Sequence, residues 1–237
     1  MRAIKVPKTA FQSRFPALLL LISFLLSFFN QSVFAAEPYR SVAVEEKRVA
    51  LTFDDGPHPR LTPKILAILR RYDIHATFFM IGKNVADYSE TAKMVAAEGH
   101  EIANHTDSHI RLSGLGKTRA EKELDGCALE IQRYCGQTPT LFRPPEGAVD
   151  GSVLSAAAQK GYRVILWSID TRDWECKNAN AIINRVLAKV QPGDIILMHD
   201  FIGYNSKTPE ALERLIPKLL ARGYAIGTVG ELLRIGS

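Results

Sequence analysis

From Val49 to the end of the chain, short runs rich in apolar and β-branched residues alternate with longer stretches whose apolar positions recur every three to four residues. The short runs predict strands at Val49–Phe53, Ala76–Ile81, Glu101–Asn104, Thr140–Arg143, Arg163–Ser168, Asp194–Met198 and Tyr224–Thr228. The longer ones predict amphipathic helices at Thr62–Tyr72, Val85–Glu98, Thr118–Tyr134, Gly151–Lys160, Ala179–Lys189 and Pro209–Ala221. Gly99, Gly136, Gly161 and Gly223 follow four of these helices as stops. Strands alternating with helices imply an α/β fold with a parallel sheet, and seven strands favour an incomplete (β/α) barrel over an open doubly wound sheet.

In such folds the carboxyl ends of the strands form the mouth where chemistry occurs. Polar residues collect at those ends here. Asp54 and Asp55 follow the first strand, His105 the third, Arg143 ends the fourth, Asp170 and Asp173 follow the fifth, and His199 the sixth. Asp-Gly alone reads as a hairpin turn, and two histidines four apart read as a polar loop. Placed together at one mouth they read as a hydrolase centre. Asp55, His105 and His109 offer a divalent ion one carboxylate and two imidazoles with a coordination position left open, and Asp54 is a spare carboxylate able to take a proton from water.

The segment before the strands changes the address of the protein. Arg2, Lys5, Lys8 and Arg14 precede an apolar run from Ala17 to Phe29, and Val33 and Ala35 form a small-residue cleavage pattern. Residues 1–35 therefore read as a signal peptide cut after Ala35, with an uncleaved anchor as the alternative, and the mature chain as secreted or periplasmic. Those four cations account for most of the formal +5 charge and leave about +1 on the mature chain. Nucleic acid is excluded as the expected partner, because no basic stripe with interleaved aromatics survives. Residues 36–48 read as a polar, extended lead-in, and 49–237 as one domain of roughly two hundred residues, large enough for a sizeable core. Cys127, Cys135 and Cys176 leave at least one thiol free. Cys127 and Cys135 on one helix would stand about 12 Å apart, too far to bridge, so Cys135 with Cys176 is the expected pair.

Five motifs occur in order: Thr52-Phe53-Asp54-Asp55-Gly56, His105-Thr106-Asp107-Ser108-His109, Arg143-Pro144-Pro145-Glu146-Gly147, Asp170-Thr171-Arg172-Asp173-Trp174 and Leu197-Met198-His199. On these the chain resembles the polysaccharide deacetylases of the NodB-homology type, carbohydrate esterase family 4, from about Val49 to Leu233. The resemblance implies a distorted (β/α)7–8 barrel and removal of N-acetyl groups from N-acetylglucosamine-containing glycans such as peptidoglycan or chitin-like polymers. It implies one divalent metal, expected to be zinc, on Asp55, His105 and His109, with Asp54 as general base and Arg143 as its holder. His199 matches the general acid, Asp173 its orienting carboxylate, and Trp174 and Leu197 the walls of a pocket for the acetyl methyl. Glu146 departs from relatives that carry an aromatic or another residue there, although its backbone N–H still suits an oxyanion because the preceding prolines offer none.

Other polar residues read more plainly. His58 is a turn or rim residue, His75 and His100 are packing or surface residues, Asp107 shapes its loop, and Asp170 either orients the site or caps its own loop. The same machinery would also serve an O-acetyl esterase acting on a polysaccharide such as xylan. A non-catalytic glycan-binding relative would have lost one of Asp54, Asp55, His105, His109 or His199, and all are present. A glycosidase would use paired carboxylates without a metal.

Overall fold

The computed structural model describes residues 37–203 and 205–236, and the expected signal peptide lies outside the described residues. The strands are β1 (Arg48–Asp54), β2 (Thr77–Met80), β3 (Glu101–Asn104), β4 (Leu141–Phe142), β5 (Arg163–Val164), β6 (Ile169–Asp170), β7 (Ile195–His199) and β8 (Ala225–Gly227). The helices are α1 (Leu61–Arg71), α2 (Gly82–Asp87), α3 (Ser89–Ala97), α4 (Lys117–Cys135), α5 (Gly151–Gln159), α6 (Ala179–Leu187), α7 (Thr208–Ala221) and α8 (Val229–Ile235), with a 3-10 turn at Pro145–Gly147. Every strand pairing among these is parallel, in the order β5-β4-β3-β2-β1-β7-β6, and β8 pairs with the first half of β1.

The sheet curls into the expected distorted barrel, and one short stretch closes it. Arg163 and Val164 pair with β4, whereas Ile169 and Asp170, five residues on, pair with β7 at the other end of the sheet. The single strand expected over Arg163–Ser168 is therefore two short ones joined by an irregular turn. The lead-in helps to fill the seam. Tyr39 N–H donates to the Val164 carbonyl at 2.9 Å, Leu166 N–H donates to the Tyr39 carbonyl at 2.7 Å, and Val42 N–H donates to the Gly193 carbonyl at 2.9 Å.

The alternation of β1 sorts its residues between two cores. Val49, Leu51 and Phe53 pack outward with Ile65, Leu69 and Leu212 from the surrounding helices. Ala50 packs inward with Phe79, Ala103, Ile165 and Ile195, where Leu232 and Leu233 of α8 also pack. Thr52 and Asp54 share the inward phase of Ala50, which carries Asp54 to the top of the barrel interior.

Two other expectations are corrected. The helix expected over Val85–Glu98 is two helices, α2 and α3, broken at Tyr88 with φ −123° and ψ 44°. Val85, Ala92 and Val95 are buried on both sides of the break and stay in phase, so periodicity alone does not reveal it. The pairing of Cys135 with Cys176 is absent, and all three cysteines are free thiols. Cys135 ends α4, which packs beside α3, while Cys176 lies after β6, at the far end of the sheet, and faces Arg185 Nη1 at 2.7 Å. Among the described residues no helix is long and apolar enough to cross a membrane.

Candidate active site

The expected residues meet where β1, β3, β4, β6 and β7 end. Asp54 is buried, and its Oδ1 accepts a 2.6 Å hydrogen bond from Nη1 of Arg143. Arg143 is fully buried and spends its other donors on Thr52 Oγ1 at 2.8 Å and on the Leu166 and Ile165 carbonyls at 2.9 and 3.4 Å. Its guanidinium also lies 4.0 Å from the centroid of the Phe79 ring. Burial lowers the Arg143 pKa, and the Asp54 carboxylate pulls it back up.

Asp55 leaves the strand in a left-handed turn, φ 75°, and its carbonyl accepts from Asn84 Nδ2 at 2.7 Å. Its Oδ1 lies 3.3 Å from His105 Nε2 and 3.1 Å from His109 Nε2. One donor atom from each of these three residues falls within 4.8 Å of the others. His105 Nδ1 lies 2.7 Å from the Arg143 carbonyl, which can only accept, so Nδ1 carries a proton and Nε2 is the ring atom turned to Asp55. Burial alone would raise the Asp55 pKa, but hydrogen bonds from His105 and His109 hold it well below the usual carboxylate range. The same bond raises the pKa of His109. An ionised carboxylate facing two imidazoles is a donor set that fits a divalent ion of the zinc class.

His199 ends β7 in register with Asp54 on β1. Its Nδ1 donates to Asp173 Oδ1 at 2.7 Å, its backbone N–H donates to Asp173 Oδ2 at 2.8 Å, and Thr208 Oγ1 donates to that same Oδ2 at 2.6 Å. Burial works against the charged ring. The bond and charge of Asp173 overcome it and, with the carboxylates of Asp54 and Asp55, push the pKa up to about 9.

All of this opens on a cleft of about 430 Å³ lined by Asp54, Asp55, His105, His109 and His199 together with Glu146, Trp167, Asp170, Trp174 and Leu197. Trp174 is exposed, whereas Leu197 lines the cleft while largely buried. The Glu146 backbone is left-handed, φ 60°, and its carboxylate pairs with Arg111 Nη1 at 2.8 Å. Asp170 both lines the cleft and accepts the Arg172 N–H at 2.8 Å, so it caps its own loop. His58 is a turn residue whose Nδ1 accepts the Arg60 and Leu61 N–H groups at 3.1 and 3.0 Å. His100 is buried against Phe78, and His75 stacks edge-on beside it, both away from the cleft.

The resemblance to a family is borne out by comparison with known proteins. The sequence profile of the polysaccharide deacetylase family matches residues 41–165. The chain belongs to this family. A peptidoglycan-N-acetylglucosamine deacetylase of Bacillus cereus is 42% identical over 192 residues, covering 80% of this chain and 89% of the relative. A chitooligosaccharide deacetylase of Sinorhizobium fredii is 38% identical over 194 residues, covering 77% of this chain and 90% of the relative. The crystal structure of a peptidoglycan N-acetylglucosamine deacetylase in complex with an N-hydroxybenzamide superposes with a TM-score of 0.79 at 34% identity, covering 81% of this chain and 91% of that one.

Two residues near the site are invisible to motif reading. Trp167 lines the cleft from the irregular turn between β5 and β6, where a strand pattern hides it. Asp200, fully buried directly after His199, accepts from Thr62 Oγ1 at 2.5 Å and lies so close to Gly56 that a Cβ there would overlap both carboxylate oxygens. Burial, with the charges of Asp55 and Asp54 nearby, pushes its pKa up to about 7.

Proposed function

We propose that this protein is a secreted or periplasmic, zinc-dependent hydrolase that removes N-acetyl groups from N-acetylglucosamine-containing glycans, peptidoglycan or chitin-like polymers. One observation carries the reading. A carboxylate, Asp54, and an imidazole, His199, each fixed by its own buried partner, converge on one cleft beside Asp55, His105 and His109. Relatives named for removing acetyl groups from peptidoglycan and chitooligosaccharides support the substrate class.

Each residue then has a task. Asp55, His105 and His109 would hold a divalent ion, which when bound would act as a Lewis acid toward the amide carbonyl and the attacking water. Asp54, aimed by Arg143, takes the proton of the attacking water. The oxyanion that develops needs a donor, and the backbone N–H of Glu146 follows two prolines that have none. His199 delivers a proton from Nε2 to the leaving nitrogen, because Asp173 occupies its Nδ1. Trp174 and Leu197 wall the space for the acetyl methyl group, and Glu146 presents its side chain to the sugar. Residues 1–35 act as a cleaved leader that brings the enzyme to its glycan.

The test is acetate release from N-acetylglucosamine oligomers by the purified protein with zinc, after chelation, and after zinc is restored. Release that stops on chelation and returns with zinc is expected. Release indifferent to chelation would refute the metal-dependent reading.

A further inference from the structure

The two histidines of the metal cluster are held in different ways. His105 is buried and tied through Nδ1 to the Arg143 carbonyl, whereas the His109 side chain is 38% exposed. The position of His109 therefore depends on its backbone. That backbone is strained, because both Thr106 (φ 68°) and His109 (φ 54°) adopt the left-handed region, which is unfavourable for residues that carry a Cβ. The first half of the loop is braced by backbone. Gly82 N–H donates to the Thr106 carbonyl and Lys83 N–H to the Asp107 carbonyl, both at 3.0 Å. Gly82 and Gly126 admit Asp107 because a Cβ on either would come within 2.6 or 3.0 Å of it.

The residue next to His109 is held by a buried acid on α4. Glu123 Oε2 accepts the Ser108 N–H at 2.9 Å, and the Ser108 hydroxyl lies 3.0 and 2.9 Å from the two Glu123 oxygens. The Glu123 side chain is 5% exposed, and Arg119 Nη2 lies 2.9 Å from its Oε1, so the clamp is anchored one helical turn away on the same helix. Charge-assisted bonds of this kind are about twice as strong as neutral ones, enough to hold a strained turn.

We propose that Glu123 is a positioning residue for the metal site: by gripping Ser108 it fixes the left-handed backbone of His109 and so sets the affinity of the cluster for a divalent ion. This rests on the assignment of Asp55, His105 and His109 as metal ligands. Glu123 touches none of the reacting groups and acts only through His109.

The test is the zinc dissociation constant of the full-length protein, read by competition with a chromophoric chelator, with thermal melts as the fold control. Glu123→Ala should weaken zinc binding about ten- to hundredfold, the usual effect of removing a partner behind a metal ligand. Ser108→Ala, which loosens the same grip from the loop side and leaves α4 intact, should weaken it in the same direction. Glu123→Gln should lie between Glu123→Ala and wild type, because its amide oxygen can still accept from Ser108. Adding Glu123→Ala to His109→Ala should cost less than about threefold further, since the route of its action is already gone. Wild-type affinity in both Glu123→Ala and Ser108→Ala would overturn the proposal, as would full additivity with His109→Ala. Wild-type protein that binds no zinc would overturn the ligand assignment itself, and the proposal with it.

Discussion

Asp173 grips His199 at two points, with one carboxylate oxygen 2.7 Å from the ring Nδ1 and the other 2.8 Å from the backbone nitrogen. Burial opposes the imidazolium, but Asp173 pushes the pKa up to about 9 from an ordinary 6.5. The folded value is the higher one, so the ring's contribution to stability is complete below its unfolded pKa and is lost as pH rises through the folded one. Deacetylation should fall over the same alkaline range, and a bound divalent cation, by adding positive charge, places that limb below about 9. Asp173→Asn should move the limb of kcat/KM to lower pH by roughly one unit. An unmoved limb would contradict the role of Asp173.

Asp54 and Arg143 form a fully enclosed pair at 2.6 Å. Asp54→Asn should retain zinc yet lose turnover on the order of a hundredfold or more, because the proton acceptor is gone. It should also destabilise the fold by about 3–5 kcal/mol, since a buried guanidinium loses its countercharge. Adding Arg143→Met should recover part of that stability without recovering activity. Denaturant unfolding and steady-state turnover on the same samples decide both points, and full activity in Asp54→Asn would exclude it as the base.

Gly56 leaves the space that the Asp200 carboxyl fills. Gly56→Ala should destabilise by about 1–3 kcal/mol, the usual cost of forcing an extra methyl into a packed interior, and should disturb the turn bearing Asp54 and Asp55. The Asp200 pKa is raised from 3.8 to about 7 by burial. Its contribution to stability is thus present in full below the unfolded value and is lost as pH rises through about 7. Chelator-treated Asp200→Asn should lack that decline in thermal melts, and an identical pH dependence would contradict the assignment.

The thiols should behave as three separate groups. Cys127 is wholly buried and its pKa is driven upward by that burial, and burial also pushes Cys135 up to about 11. Alkylation of the native protein should spare Cys127, and non-reducing peptide maps should show no bridge. A Cys135–Cys176 disulfide in such a map would contradict the structure.

Much of this site was legible because its chemistry sits at strand ends, where short, nearly continuous apolar runs stop at charged residues. Asp54 and His199 follow apolar runs so regular that their place at the barrel mouth could be read from spacing alone. The closure of the barrel could not, because Arg163–Ser168 reads as one strand, whereas Arg163–Val164 and Ile169–Asp170 serve opposite edges of the sheet. The last helix is signalled by the Thr228–Glu231 capping box, yet seven residues are too few to establish a period. Trp167, Asp200 and Glu123 matter through tertiary neighbours that are far away in sequence, so no local pattern marks them. The cysteine pairing failed for the same reason, since an odd count constrains numbers but not positions.

The most direct test is mass spectrometry of peptidoglycan fragments and chitin oligosaccharides after incubation with the zinc-loaded protein. Loss of acetyl mass from N-acetylglucosamine units, with every glycosidic bond intact and no loss in Asp54→Asn, is the expected result. Cleaved chains with their acetyl groups retained, or loss confined to O-acetyl esters, would contradict it.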